Sequence, residues 1–246
     1  MADAPGEQEV LQALLHDTRA VLLDFDGPVT ALFGGASTAP AARRIKDAVR
    51  RIWGSLDADV EECDDSHGLL RRLRDMYDRP CPAPRSDTAL KLAEAMVTRY
   101  EYEAVASARP TPLLADLVRA LRGLGLPLVI VSNNADGPVR EFLGRPGLPA
   151  RFETVVGRDP RELRHLKPDP YPVDLAVRRL ALPPSSCLLV GDQLTDLEAA
   201  RSAGVRFLGF THEEDRAARM RRHGADWVIS SYAPLIDAAR TCAATD

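Results

Sequence analysis

The chain of 246 residues is 45% hydrophobic and 28% charged, long enough to bury a real core and of a size for one domain plus an insert. Its 16 glycines and 19 prolines follow no period, which excludes collagen-like and low-complexity classes. With 32 basic against 36 acidic residues the net charge is −4, without the basic excess of a nucleic-acid or anionic-membrane binder, so a small soluble partner is expected.

The four cysteines, Cys63, Cys81, Cys187 and Cys242, are scattered with no C-x-x-C pair and read as free thiols of a cytoplasmic protein. Acidic side chains precede any apolar cluster in the first twenty residues, and no uninterrupted apolar run approaches membrane length.

Ala20-Val21-Leu22-Leu23 is an apolar run closed by Asp24-Phe25-Asp26-Gly27-Pro28, the pattern of a buried strand ending in a turn. Asp24-x-Asp26-Gly27 sets two carboxylates two residues apart, and Gly27 permits a sharp turn behind them. One carboxylate can face a metal and attack an electrophile while the other handles a proton. Taken alone, the segment reads equally as an acidic turn capping a strand.

Residues 31–108 carry three helical patterns and no convincing strand. Ala42, Ile45, Val49 and Ile52 recur at helical spacing, as do Leu69, Leu73 and Met76 ahead of Pro80, and Ala93, Val97, Tyr100 and Ala104 behind a Ser86 cap. This predicts a helical cap domain inserted after the first strand, lying over the sheet edge as a lid, with residues 1–30 and 109–246 forming the core domain. Gly34-Gly35 and Ala108-Arg109-Pro110 are the expected hinges. Arg71, Arg72 and Arg74 read as a solvated helix face; one of them, or Arg43, Arg44 or His67, could reach a substrate from the lid, and the sequence does not choose among them.

From Leu113 onward helices and strands alternate: helix 113–122, strand Pro127–Val131 stopping at Ser132-Asn133-Asn134, helix 138–143, a short strand around Phe152 to Val156 and helix 171–181. Strand Cys187–Val190 stops at Gly191-Asp192, followed by helix 196–203 and strand Val205–Phe210. The tail adds a helical pattern, a short Trp227-Val228-Ile229 strand and a terminal helix. Apolar strands separated by helices predict an α/β fold, a Rossmann-like parallel sheet covered on both faces, whose ligands sit beyond the carboxyl ends of the strands.

Three more segments at such ends carry chemistry. Ser132-Asn133-Asn134, ahead of Gly137-Pro138, offers a hydroxyl and backbone N–H groups to an anion, or simply caps a helix. Lys167-Pro168-Asp169-Pro170 contains one of only three lysines among the 32 basic residues. A lysine before proline is held out of a helix, so its ammonium can be aimed as a point charge at a phosphate. In Gly191-Asp192-Gln193-Leu194-Thr195-Asp196, Thr195 and Glu198 form an expected capping box for a helix running to Gly204. Asp192 and Asp196 could complete an oxygen-ligand site for Mg²⁺, although Asp196 alone also suits a helix dipole. An open parallel sheet brings all four segments to one edge. Asp24, Asp26 and Asp192 would repel one another there, and a divalent cation is the simplest compensation.

Asp24-x-Asp26-Gly27, Ser132, Lys167-Pro168 and Gly191-Asp192-x-x-x-Asp196 resemble, in order, the four motifs of the haloacid dehalogenase superfamily. The helical insert resembles that family's cap, and the nearest subgroup is the phosphoglycolate phosphatase and β-phosphoglucomutase type. The resemblance implies a Mg²⁺-dependent phosphatase acting on a small phosphorylated metabolite through an aspartyl-phosphate. Asp24 would be the nucleophile and Asp26 the acid/base. Ser132, the Asn133 amide and Gly27 would surround the phosphoryl group, with Lys167 neutralising its charge. Asp24, the Asp26 carbonyl, Asp192 and Asp196 would serve the ion, Asp196 directly or through water.

Two positions depart from the family pattern: Pro28 stands where threonine is usual and Gln193 where serine is frequent. Pro28 removes an N–H and a hydroxyl near the phosphate, which leaves a catalytically silent interaction protein as one alternative. A sugar-phosphate mutase that excludes water is the closest rival. A dehalogenase would lack the carboxylate at Asp26, and phospho-accepting receiver domains are about half this length without a cap. Trp53, Trp227, Tyr100 and Tyr102 read as core or interface anchors, and Arg219, Arg221, Arg222 and His223 as a helix end. Oligomeric state is left open.

Overall fold

A computed structural model describes residues 6–34, 37–82, 84–148 and 152–245. Helix α1 (Glu7–His16) leads into β1 (Ala20–Leu23). The insert follows as α2 (Ala39–Trp53), the single turn α3 (Ala58–Glu61), α4 (Ser66–Asp78) and α5 (Thr88–Ser107). The chain then runs α6 (Leu114–Gly123), β2 (Leu128–Ala135), α7 (Asp136–Leu143), β3 (Thr154–Arg158) and α8 (Tyr171–Leu180). It closes with β4 (Cys187–Gly191), α9 (Leu194–Ser202), β5 (Arg206–Phe210), α10 (Glu214–Arg222), β6 (Val228–Ile229) and α11 (Ala233–Thr245).

The six strands form one parallel, Rossmann-like sheet in the order β3-β2-β1-β4-β5-β6. Successive strand residues point to opposite faces, and the apolar runs divide accordingly. Val21, Leu23, Leu128, Ile130, Leu188 and Val190 join a cluster with Leu11, Leu117, Phe142 and Leu235. Ala20, Leu22, Val129, Val131, Cys187 and Leu189 join another with Val173, Leu197 and Met220. Burial on both faces is why these strands are continuously apolar. Strand order reverses between β1 and β4, which places a crevice beyond the carboxyl ends of those two strands.

The insert has its own core, in which Ala42, Ile45 and Val49 of α2 meet Leu69, Leu73 and Met76 of α4 and Ala93 and Val97 of α5, joined by Leu163 and Leu166 from the β3–α8 segment. Several boundaries differ from the sequence reading. β2 runs on through Ser132-Asn133-Asn134 to Ala135, because Ala135 pairs with Arg158 after a register shift. α7 therefore starts at Asp136, and Pro138 lies within its first turn. α9 starts at Leu194: Asp196 Oδ2 reaches back to the Gln193 N–H at 2.9 Å, so Gln193 and not Thr195 stands at the cap, and the helix ends at Ser202. α1 and α3 are not among the helices expected from the sequence; Leu11 and Leu15 bury one face of α1.

Ile52 is 39% exposed rather than buried. On α5 the inward face steps by four through Ala89, Ala93, Val97, Glu101 and Val105, leaving Tyr100 and Ala104 partly exposed. Gly34 has a φ of +59°; its expected hinge partner Gly35 lies outside the described residues. Among the described residues no helix is long and apolar enough to cross a membrane.

Candidate active site

A cavity of about 350 Å³ opens at the β1/β4 switch point, lined by Asp24, Asp26, Asn133, Asn134, Lys167, Asp192 and Asp196. Gly27 lines an adjoining cavity of about 770 Å³ that shares Asp26 and Asp192. Ser132 is buried, its Oγ donating to Asn134 Oδ1 at 2.9 Å and accepting from Asn134 N at 3.1 Å.

Lys167 is the hub. Its ammonium lies 2.7 Å from Asp24 Oδ1 and 2.6 Å from Asp196 Oδ1, and donates to the Val131 carbonyl at 2.9 Å. Asn133 fixes the backbone there: its Oδ1 accepts from Lys167 N at 2.8 Å and its Nδ2 donates to Lys167 O at 3.1 Å. The Lys167–Pro168 peptide is cis. Burial pushes the Lys167 ammonium down, but Asp196 and Asp24 outweigh it and hold the group well above its ordinary value.

The acids are under the opposite pressure. Burial pushes Asp24 up to about 7 against the pull of Lys167. Asp192 rises to about 9 through burial and the charges of Asp196, Asp24 and Asp26. Burial also raises Asp26, whose Oδ1 accepts from Leu32 N at 2.7 Å and whose shift His67 and Arg216 oppose. Both oxygens of Asp196 are in use, Oδ1 by Lys167 and Oδ2 by the Asp192 and Gln193 amides at 3.1 and 2.9 Å.

Asp192 is held on one side only. Its Oδ2 accepts from Gln193 Nε2 at 2.9 Å and Arg216 Nη1 at 2.7 Å, while the buried Oδ1 has no partner among the described residues. Oxygens of Asp24, Asp192 and Asp196 lie within 4.8 Å of one another. An all-carboxylate set with one bare buried oxygen and raised acid pKa values fits a hard divalent cation such as Mg²⁺.

Two glycines make this closeness possible. A Cβ on Gly27 (φ +102°) would stand 2.6 Å from Asp192 Cγ, and one on Gly191 would stand 2.5 Å from Asp196 Cβ. Pro28 is fixed from behind, its carbonyl accepting from the buried Tyr232 hydroxyl at 2.7 Å.

A family model for haloacid dehalogenase-like hydrolases matches residues 18–204. The chain belongs to that family. It is a hydrolase of that family, and its sequence relatives include phosphatases. It is 29% identical over 226 residues to an N-acetylmuramic acid 6-phosphate phosphatase of Pseudomonas aeruginosa, covering 89% of this chain and 93% of that one. To a phosphoglycolate phosphatase of Escherichia coli it is 35% identical over 101 residues, 41% of this chain and 39% of that one. A haloacid dehalogenase-like hydrolase structure from Bacteroides fragilis superposes with a TM-score of 0.63 at 22% identity, over 89% of this chain and 99% of the other. A predicted phosphoglycolate phosphatase structure from Haemophilus somnus gives 0.60 at 21%, over 90% and 97%. These two establish the fold.

Sequence reading missed four participants. Arg216 grips Asp192 from α10, and its position in the first turn after β5 was the available signal, since that turn lies at the same sheet edge. Asn134 lines the cavity with a buried Nδ2 that has no partner among the described residues. Glu101 and Arg158 form a second buried charge cluster behind Asn133 near the end of β2: Arg158 Nη1 donates to Glu101 Oε1 at 2.7 Å and to the Asn133 carbonyl at 2.8 Å. A glutamate on the inward four-residue step of α5 was the signal for that cluster.

Proposed function

We propose that the chain is a Mg²⁺-dependent phosphatase that hydrolyses a small phosphorylated metabolite through an aspartyl-phosphate. The observation that carries this reading is the single buried cluster in which Lys167 lies 2.7 Å from Asp24 and 2.6 Å from Asp196, with the bare Asp192 Oδ1 beside them. Phosphoryl transfer depends mainly on positioning and charge neutralisation, and this cluster supplies both.

Asp24 attacks phosphorus as the bond to the leaving oxygen breaks. Asp26, whose carboxyl burial raises, serves as the acid that gives a proton to that oxygen. As a carboxylate it then takes a proton from the water that attacks the acyl phosphate, which releases inorganic phosphate and restores Asp24. Lys167 offsets charge on the phosphoryl oxygens. Ser132, Asn133 and the Gly27 turn shape that site, and the unpaired Asn134 amide adds a donor.

Bound Mg²⁺ would be held by Asp24, the Asp26 carbonyl and Asp192 and would supply further charge neutralisation. Asp196, with both oxygens engaged, keeps Lys167 and the β4 end in place. Residues 31–108 act as a cap over a core of residues 1–30 and 109–246. N-acetylmuramic acid 6-phosphate and phosphoglycolate, after which relatives are named, head the substrates to assay.

The test is turnover of p-nitrophenyl phosphate with and without Mg²⁺ by the parent and by Asp24→Asn. Loss of the nucleophile should lower kcat on the order of 10⁴-fold, with the folded signal in circular dichroism intact. Equal rates for the two proteins would remove Asp24 from its role.

A further inference from the structure

Gln193, one of the two departures from the family pattern, has no part in the reaction as written. A serine at that place ends in a hydroxyl on Cβ, whereas the glutamine amide has the reach to fold back over its neighbour. Its Nε2 donates to Asp192 Oδ2 at 2.9 Å. The same oxygen accepts from Nη1 of Arg216, in the first turn of α10, at 2.7 Å.

Both donors are fixed from behind. The Gln193 N–H donates to Asp196 Oδ2 at 2.9 Å, which ties the backbone under the amide to the start of α9. α10 is seated by Ala217 and Met220, which join the core cluster containing Leu197 and Val228. Arg216 Nη2 also reaches Glu213 Oε1 at 3.0 Å, but that carboxylate is mostly exposed, and such pairs contribute little. The partner that Arg216 meets away from water is Asp192.

The clamp leaves Asp192 one oxygen to give. Oδ2 carries two donors, Oδ1 is buried and bare among the described residues, and a Cβ on Gly27 would stand 2.6 Å from Asp192 Cγ, so the carboxylate has no room to swing round and offer both. Its neighbours are committed in the same sense. Lys167 takes Oδ1 of Asp24 and of Asp196, and two backbone amides take Asp196 Oδ2. Mg²⁺ binds through one or two carboxylates and keeps its water in a small octahedron, whereas Ca²⁺ gathers about six to eight oxygens and accepts a carboxylate through both of its atoms. A carboxylate restricted to one oxygen suits the first ion and undersupplies the second.

We infer that Gln193 and Arg216 are positioning residues that act through Asp192, holding it as a single-oxygen ligand and so setting the preference of the site for Mg²⁺ over Ca²⁺. The inference rests on the cation site of the phosphatase reading and adds to it the residues that choose the ion. Arg216 also repels a cation by its charge, but it repels both divalent ions alike, and that effect cancels in the ratio of their dissociation constants. The ratio therefore reports the clamp.

Calorimetric titration of the full chain with MgCl₂ and with CaCl₂ reads the ratio without any turnover, and Asp192→Asn marks the heat that belongs to this site. The parent should bind Mg²⁺ more tightly. Arg216→Met keeps an unbranched apolar stem without donors, and Gln193→Leu removes the other donor at similar volume. Each should move the ratio towards Ca²⁺ by about tenfold, the low end of what loss of an outer partner costs a metal site, and the double variant should move it further. Arg216→Lys should restore part of the parent ratio, which a loosened fold would not do. Should Arg216→Met fail to fold, Gln193→Leu and Arg216→Lys still read the clamp. A parent that prefers Ca²⁺, or variants that keep the parent's ratio, overturn the assignment and leave the phosphatase reading standing. A parent that binds neither ion removes the cation site and both readings with it. A ratio that shifts as expected in a chain without phosphatase turnover sinks the phosphatase reading alone.

Discussion

Among the described residues, two buried charge clusters lie on either side of Asn133 near the end of β2, and they are balanced differently. On one side, Glu101 and Glu94 surround the fully buried Arg158 guanidinium, with His67 and Thr98 completing the set. Its central acid is stabilised in the charged form, Glu101 being held at about 2. On the other side, Asp24, Asp26, Asp192 and Asp196 share Lys167 and the half-buried Arg216, and burial destabilises the charged form of the acids, with Asp24 at about 7 and Asp192 at about 9. A cluster whose central acid is held charged by the donors around it serves the fold. A cluster with surplus anion, held together by the chain around it, marks the place where a cation from solution belongs.

The largest expected effect tests the balanced side. Glu101→Gln leaves Arg158 buried with Glu94 as its remaining anion, and should lower the unfolding free energy by about 3 kcal/mol, the low end for a broken buried pair, measured in urea. Asp24→Asn, which removes one surplus acid while Lys167 keeps Asp196, should leave that free energy unchanged or higher. Equal losses in the two variants would erase the distinction. The pH dependence has a definite sign. Because Glu101 is lowered in the fold from 4.5 to about 2, the stability it contributes is full above about 4.5 and is lost as pH falls towards 2. Glu101→Gln should flatten that part of the stability curve.

The next effect tests the surplus side. A cation that binds the folded chain stabilises it by about 2.7 kcal/mol at a hundred times its dissociation constant, so Mg²⁺ titration should raise Tm in a saturable manner. Asp192→Asn removes the bare buried oxygen and should abolish the shift. A shift of equal size in Asp192→Asn would place the ion elsewhere.

The same contrast explains what was legible in the sequence. Asp24 and Asp192 could be read because each directly follows an apolar strand, and Lys167 and Asp196 because they lie in the segments beyond β3 and β4; a parallel sheet has only one carboxyl edge to which they can go. Arg158 could not, since it ends a strand like the others yet its side chain turns away to α5, a choice made by helix packing rather than by strand direction. Arg71 and Arg72 are neighbours with indistinguishable local patterns, and a rotation of about 100° per residue around α4 sends one to the cavity and the other to the Asp59 carbonyl. The cap on α9 was misread because Asp196 does two jobs at once, which no spacing rule for Thr195 and Glu198 reveals.

The smallest effect is also the most discriminating, because it compares two glycines that differ only in what surrounds them. Gly27 and Gly54 both have positive φ, +102° and +83°. Alanine at either should cost about 1–3 kcal/mol of backbone strain, read from urea unfolding. At Gly54 the space beyond is open, whereas at Gly27 a Cβ meets Asp192 Cγ at 2.6 Å. Asp192 cannot simply swing aside, since Gln193 and Arg216 hold its other oxygen. Gly27→Ala should therefore lose the Mg²⁺-dependent rise in Tm as well as stability, and Gly54→Ala should lose stability alone. If Gly27→Ala kept the full Mg²⁺ response, the close approach of the β1 turn to Asp192 would have no part in presenting that carboxylate to the ion.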